Sequence, residues 1–237
     1  IAPTNLGTGG GSYIGDPGGG AVILKVAGEL RHDGSILANA IDGGGNRGAG
    51  GSVFLTAGTL IGDGYIEAHG GCFTVHSPGG GGRISLVVTN GAADFSGFTG
   101  WTTTYSGRGM PSNSSAGGGA PGTVYRETAL QGPGKGIVTI DNYHFARTGI
   151  TDVPPQGEIP EESIRVTFVL TNNCNLILTN DYTVGDIYLS STGAVLDLNF
   201  KTLKVNTEEH ELGPGKVENM GQIIWWTRPP GSVLMFW

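Results

Sequence analysis

Apolar residues in this chain fall in short, β-branched runs bounded by Gly, Asn, Asp or Pro, and nowhere do they recur at the three-to-four spacing of a helix face. Runs at 22–24, 53–55, 84–88 and 166–170 predict strands, as do 176–178, 187–189, 195–198 and 203–205 later in the chain. The chain is therefore expected to be all-β, built of many short strands.

The pattern repeats. Residues 27–38 recur at 57–68, with Ala27/Ala57, Gly28/Gly58, Leu30/Leu60, Asp33/Asp63, Gly34/Gly64, Ile36/Ile66 and Ala38/Ala68 identical. Each copy reads as strand, bend, short strand, turn and strand, and residues 83–86 open a third copy that shares only the first strand. A fixed internal period argues for stacked coils, with like residues above like at the inter-strand spacing. Repeated Leu and Ile then become inward ladders, and the repeated Gly residues become corners that take positive φ.

Between the strands lie glycine loops at 43–51 and 79–82. The stretch 92–122 is less regular and reads as a protrusion carrying Phe95, Phe98, Trp101 and Tyr105. Four Pro-Gly pairs precede β runs: Pro121-Gly122, Pro133-Gly134, Pro214-Gly215 and Pro230-Gly231. Each suits a type II turn that aims the next strand. Residues 152–162, with Pro154, Pro155 and Pro160, read as an exposed connection. The organisation expected is one β-solenoid domain over 1–237, with glycine-rich coils at 1–91, irregular coils with protruding loops at 92–160 and regular coils at 161–237.

Composition sharpens this. Glycine supplies 45 of 237 residues and charged residues only 14%, which leaves collagen, disorder or a glycine-dense β fold. The absence of a Gly-X-Y period excludes collagen, and the apolar runs exclude disorder. A formal charge of −7 with scattered basic residues argues against a nucleic-acid partner. No run is long enough for a membrane-spanning helix. The start Ile1-Ala2-Pro3 is not a signal sequence, and the high Gly, Ser, Thr and Asn content suits a secreted protein at the cell surface. Cys72 and Cys174 leave two readings, a bridge in an oxidising compartment or unpaired thiols, and the second is preferred.

Candidate chemistry is sparse. His69, Cys72 and His76 have a chelating spacing but supply only three local ligands, so no metal is expected. Gly132-Pro133-Gly134-Lys135 and Gly213-Pro214-Gly215-Lys216 lack the Ser/Thr and helix of a phosphate loop and read as turns. Asp33 and Asp63 would stack as a calcium ladder, yet the Asp-Gly pair is what a tight turn selects. Asp181, Asp186 and Asp197 are the carboxylates a coil of about twenty residues would bring together for glycoside cleavage, with ordinary turn neighbours. No catalytic residue and no cofactor is assigned. Phe98, Trp101 and Tyr105 are candidate carbohydrate contacts, with loop packing as the competing role.

The unit [VI]-x-L-x-x-A-G-x-L-x-x-D-G-x-I-x-A at 24–38 and, one residue shorter, at 53–68, with the run 79–84 and the closing pattern at 194–205, resembles the glycine-rich repeat regions of bacterial surface and autotransporter-type adhesin passengers. That resemblance implies a right-handed parallel β-helix with glycine-rich corners, serving as a secreted adhesin, sheath or fibre. The most apolar stretch is the last one, and an uncapped β-helix end templates further pairing. Ile223, Ile224, Trp225, Trp226, Val233, Leu234, Met235, Phe236 and Trp237 are therefore the candidate subunit contacts of a self-associating, non-enzymatic extracellular filament. A carbohydrate-binding adhesin module and a β-helix polysaccharide lyase or hydrolase are the alternatives, with a polysaccharide or cell-surface ligand as partner.

Overall fold

A computed structural model describes residues 3–11, 15–42, 47–72, 78–107, 119–143, 149–153 and 165–227. Among them the protein is all-β, with 17 strands and no helix. The first copy of the repeat forms β1 (Ala21–Arg31) and β2 (Ser35–Leu37), and the second forms β3 (Ser52–Ile61) and β4 (Tyr65–Glu67). Next come β5 (Arg83–Val88), β6 (Trp101–Thr103), β7 (Thr123–Thr128), β8 (Ile137–Asp141) and β9 (Ile150–Val153). The C-terminal part holds β10 (Thr167–Thr171), β11 (Asn175–Leu178), β12 (Tyr182–Val184), β13 (Asp186–Leu189), β14 (Val195–Asp197), β15 (Thr202–Val205), β16 (Lys216–Glu218) and β17 (Gln222–Trp225).

Four sheets result, in the orders β1-β3-β5-β7-β8-β10-β13, β2-β4-β6, β9-β11-β14-β16 and β12-β15-β17. Every strand pairing is parallel except β7 with β8. Register stacks like on like, as the repeat predicts: Val22, Val53, Ile84 and Val124 are successive partners, as are Ile36, Ile66 and Thr102. The one-residue offset between the two copies is a bulge in β1, where the register shifts between Val26 and Glu29.

At the β7–β8 hairpin two things reverse together. Strand direction flips within the seven-stranded sheet, and so does the face on which the sheet is buried. Val124 packs in the first core with Val53, Leu55, Ile84 and Leu86, whereas its neighbour Tyr125 packs in the second with Val138, Ile140, Leu170 and Leu189. Successive residues of a strand point to opposite faces, so the two cores lie on opposite sides of one shared sheet. The reversal is anchored locally. Gly134, at φ 72°, takes the left-handed position after Pro133, and the Lys135 N–H donates to the Gly132 carbonyl at 3.2 Å, which is a type II turn. The Tyr125 hydroxyl donates to Glu127, which also accepts the Gly134 N–H at 2.7 Å.

The glycines do different work from that expected. Gly28, Gly34, Gly58 and Gly64 do not have positive φ; among the described residues only Gly62, Gly132, Gly134 and Gly213 do. The loop glycines instead lie backbone against backbone. A Cβ on Gly19, Gly51, Gly82, Gly107 or Gly122 would strike a neighbouring carbonyl, and main-chain hydrogen bonds such as Gly19 N–H to Ala49 O and Gly107 N–H to Gly79 O knit these segments together. Close approach, not corner geometry, is what excludes a side chain there. In the described C-terminal part the non-Gly residues with positive φ are Asn172, Asn199, Phe200 and Asn219, three of the four being the type that tolerates this conformation best.

Other expectations are corrected here. Pro121-Gly122 and Pro214-Gly215 are not type II turns, since neither glycine has positive φ; Pro230-Gly231 lies outside the described residues. The stretch 92–122 is no simple protrusion, because it supplies β6 to the β2-β4-β6 sheet. The glycine layer is also clamped by charge: Arg47, buried, forms an ion pair with Asp16. No helix among the described residues is long and apolar enough to cross a membrane.

Candidate functional site

Most candidate residues find structural roles. Phe98 is 7% exposed, packs in the first core and stacks on His32, whose Nε2 bonds the Tyr65 carbonyl at 3.0 Å. It is not a surface contact. Asp181, Asp186 and Asp197 stand at or beside β12, β13 and β14, which belong to three different sheets. Asp181 accepts the Thr202 N–H at 2.8 Å, and Asp197 accepts from the Asn199 N–H at 2.8 Å and the Asn219 side chain at 2.7 Å. Asp181 thus ties to the next rung and Asp197 caps its own turn, and neither joins a carboxylate pair.

Asp186 has a different partner. His210 places Nε2 2.7 Å from its Oδ1 and Nδ1 2.9 Å from the Glu211 carbonyl. Both contacts are acceptors, so the ring is protonated in this geometry. The Glu211 carbonyl first, and Asp186 second, raise the His210 pKa. Burial pushes the Asp186 carboxyl up, but hydrogen bonds from His210, the Ile187 N–H, Tyr188 and Thr207 outweigh it and hold the pKa below the ordinary value. The ring is stacked on Tyr188 with centroids 4.7 Å apart and meets Trp225 edge-on at 4.8 Å.

Of the metal-spaced trio, His69 is engaged elsewhere and His76 lies outside the described residues. The His69 Nδ1 accepts the Tyr105 N–H at 3.2 Å, which places the ring proton on Nε2, where it is donated to the Thr103 hydroxyl at 2.9 Å. Among the described residues no group of three His, Cys, Asp or Glu is placed to hold a metal ion. No disulfide joins Cys72 and Cys174; the latter is buried in the second core, which pushes its thiol up to about 12.

Trp101 and Tyr105, by contrast, come together at the surface. Trp101 follows Tyr65 as its direct partner on the outer face of the β2-β4-β6 sheet, and the two are 49% and 53% exposed. Tyr105 stacks on His69 at 5.0 Å and lies 5.1 Å from the Tyr143 ring. Burial pushes its hydroxyl up to about 12, against the opposing effect of a hydrogen bond with Trp101. The sequence pointed to Trp101 and Tyr105. It concealed Tyr65, which differs from the aligned Ser35 and whose only signal was an aromatic at an outward position of the second copy.

Beside this aromatic row the first core ends while the shared sheet continues, and the step forms a small cleft of about 90 Å³. Thr102, Thr103, Thr104 and Tyr105 make its wall, and Val124, Arg126, Thr139 and Asp141 its floor. Thr102 occupies the inward ladder position held by Ile36 and Ile66 in the rungs before. Its hydroxyl is buried and has no hydrogen-bond partner. The Arg126 guanidinium sits 5.7 Å from the Phe95 ring centroid, and the protein around it lowers its pKa although its side chain stays exposed to solvent. Asp141 accepts the Tyr143 N–H and the Asn172 side chain, both at 2.6 Å.

At the last rungs, β16 and β17 are edge strands of their sheets. Ile223 and Trp225 pack against the second core, while Ile224 and Trp226 are exposed, as are Val217 and Met220. Val233, Leu234, Met235, Phe236 and Trp237 lie outside the described residues. No family model matches the chain, and neither the curated proteins nor the solved structures searched include a match.

Proposed function

We propose that this chain is a non-enzymatic extracellular structural protein, a right-handed parallel β-solenoid of the surface-adhesin kind that assembles by stacking its end rungs on another copy. The supporting observation is the register-matched parallel stacking that reaches the edge strands β16 and β17, where Val217 holds the inward ladder position of Leu176 and Leu196 yet is exposed, as are the outward Ile224 and, just past β17, Trp226. Because strand direction and buried face both reverse at the β7–β8 hairpin, the two reversals cancel and the coils on either side keep one hand. Right-handed winding is the rule for parallel crossovers. Light scattering over a concentration series, with electron microscopy of the same samples, tests the assembly. Growth of elongated particles with concentration is expected, and a monomer at every concentration overturns it.

The exposed row of Tyr65 and Trp101, with Tyr105 beside it, favours a second reading: a carbohydrate-binding module on the same scaffold. Outward aromatics on adjacent rungs present flat apolar faces at the inter-strand spacing, a surface on which sugar rings stack. The enzyme reading loses support, since the three aspartates are spread over three sheets and committed to turn and clasp contacts.

A further inference from the structure

The end of the stack opposite to β16 and β17 is open as well. β1 is the last strand of the seven-stranded sheet on that side and pairs only with β3, so along its 11 residues one row of backbone N–H and C=O groups faces outward. Its core side is equally bare. Val22, Leu24, Val26, Leu30 and Ile36 are only half-buried, whereas their direct partners one rung on, Val53, Leu55, Ala57, Leu60 and Ile66, are at most 1% exposed. One more rung would cover them. The described residues before β1 do not supply it, because they lie beside the second coil: the Ser52 hydroxyl donates to the Asn5 carbonyl at 2.6 Å and the Ala49 N–H to the Thr8 carbonyl at 2.8 Å.

The charges on β1 identify the covering rung. Edges that avoid partners carry like charges or Pro. β1 has no Pro, and its exposed face carries both signs, with Lys25 before the bulge at Ala27 and Gly28 and Glu29 after it. Neither side chain forms an ion pair or a hydrogen bond among the described residues, whereas Arg31 is tied to Asp33. A second β1 laid antiparallel about a two-fold axis through Ala27 sets Lys25 against Glu29 of the second copy, and Glu29 against Lys25. The same reversal sets Leu24 against Leu30 in both directions. The alternation allows this, since the half-buried positions are 22, 24, 26 and 30, so exposed charge meets exposed charge and core leucine meets core leucine. Such reciprocity, residue i on j and j on i, is what a two-fold contact requires, and opposite charges facing across strands stabilise the pairing.

We propose that β1 is a two-fold pairing edge for a second copy of this chain, joined antiparallel so that Lys25 meets Glu29 twice and the two first cores close on each other through Leu24 and Leu30. The proposal deepens the assembly reading and rests on it for the pairing of end rungs, but it uses the other end of the stack. A two-fold contact closes on itself, so this edge alone gives a dimer, and growth beyond two copies needs the β16–β17 end.

The test is sedimentation velocity of the full chain over a concentration series, with Ile224→Glu introduced to block the β17 end. That chain should stop at a dimer. Adding Lys25→Glu or Glu29→Lys turns both attractive contacts repulsive and should weaken the dimer about tenfold or more. Both residues are exposed, so each variant should keep its melting temperature, which is checked in parallel. Mixing the Lys25→Glu chain with the Glu29→Lys chain should restore a dimer that neither forms alone, because every contact again joins opposite charges; a folding defect would not be rescued this way. A dimer indifferent to both substitutions, or no recovery on mixing, overturns the assignment. An Ile224→Glu chain that stays monomeric while the unaltered chain grows sinks β1 pairing and leaves the assembly reading standing. A monomer in the unaltered chain at every concentration sinks both.

Discussion

Glycine is where a single methyl group decides most in this protein, and its effect has opposite signs at sites the sequence makes look alike. Gly51 lies against the main chain of Gly19 and Gly20, so a Cβ there requires backbone displacement. Gly28 has open space around its Cβ position and no left-handed φ. Gly51→Ala should therefore destabilise by about 1–3 kcal/mol or more, as overpacking does, whereas Gly28→Ala should be neutral to stabilising by up to about 1 kcal/mol. Urea denaturation of the two variants checks the contrast; equal losses would show that the glycine segments are not in backbone contact. The repeat marks Gly28 as the conserved-looking position of the two copies, and the loop Gly51 as one glycine among many. Only spatial neighbours separate them, and those neighbours are some thirty residues away in the chain.

At the scale of elements, the polar tie between β13 and the segment after β15 has a definite pH window. The raised His210 pKa contributes stability that is fully present below the ordinary histidine value of about 6.5 and is lost as pH rises through the folded value. The lowered Asp186 pKa contributes stability that is present above the ordinary carboxylate value of about 3.9 and is lost as pH falls through the folded value. The clasp is therefore complete between about pH 4 and 6.5 and loosens first on the alkaline side. Ring resonances of His210 in an NMR titration should give a midpoint above the ordinary value, and Asp186→Asn should lower it. A midpoint that Asp186→Asn leaves unmoved would falsify the ion pair. Asp186 drew attention in the sequence as one of three carboxylates for catalysis. Its true partner is a histidine flanked by Glu209 and Glu211, 24 residues on, which no spacing rule connects to it.

For the whole molecule, the proposed assembly turns on the end rung. Ile224 is exposed on β17 and faces away from the core, opposite Lys204 of β15. Ile224→Glu should keep the fold, since it sets an opposite charge beside Lys204, and should reduce self-association, since a charge on an edge strand discourages pairing. Sedimentation velocity of the variant and the unaltered chain, at matched concentrations, measures this. Unchanged particle size would remove β17 from the contact.

The alternation of apolar residues and the thirty-residue repeat were enough to determine an all-β chain, the strands of both copies and the ladder register, because each depends on side chains at fixed separations along the strand. The one-residue offset between copies even carried the bulge at Ala27 and Gly28. Tertiary structure alone decided the hairpin reversal, the change of buried face between Val124 and Tyr125, and with them the cleft where Thr102, Arg126 and Asp141 meet. A Pro-Gly turn reads the same whether it continues a coil or reverses it. Which one occurs depends on where the next strand finds its partner and its apolar cover, and that is settled by packing across the sheet rather than by any local run of residues.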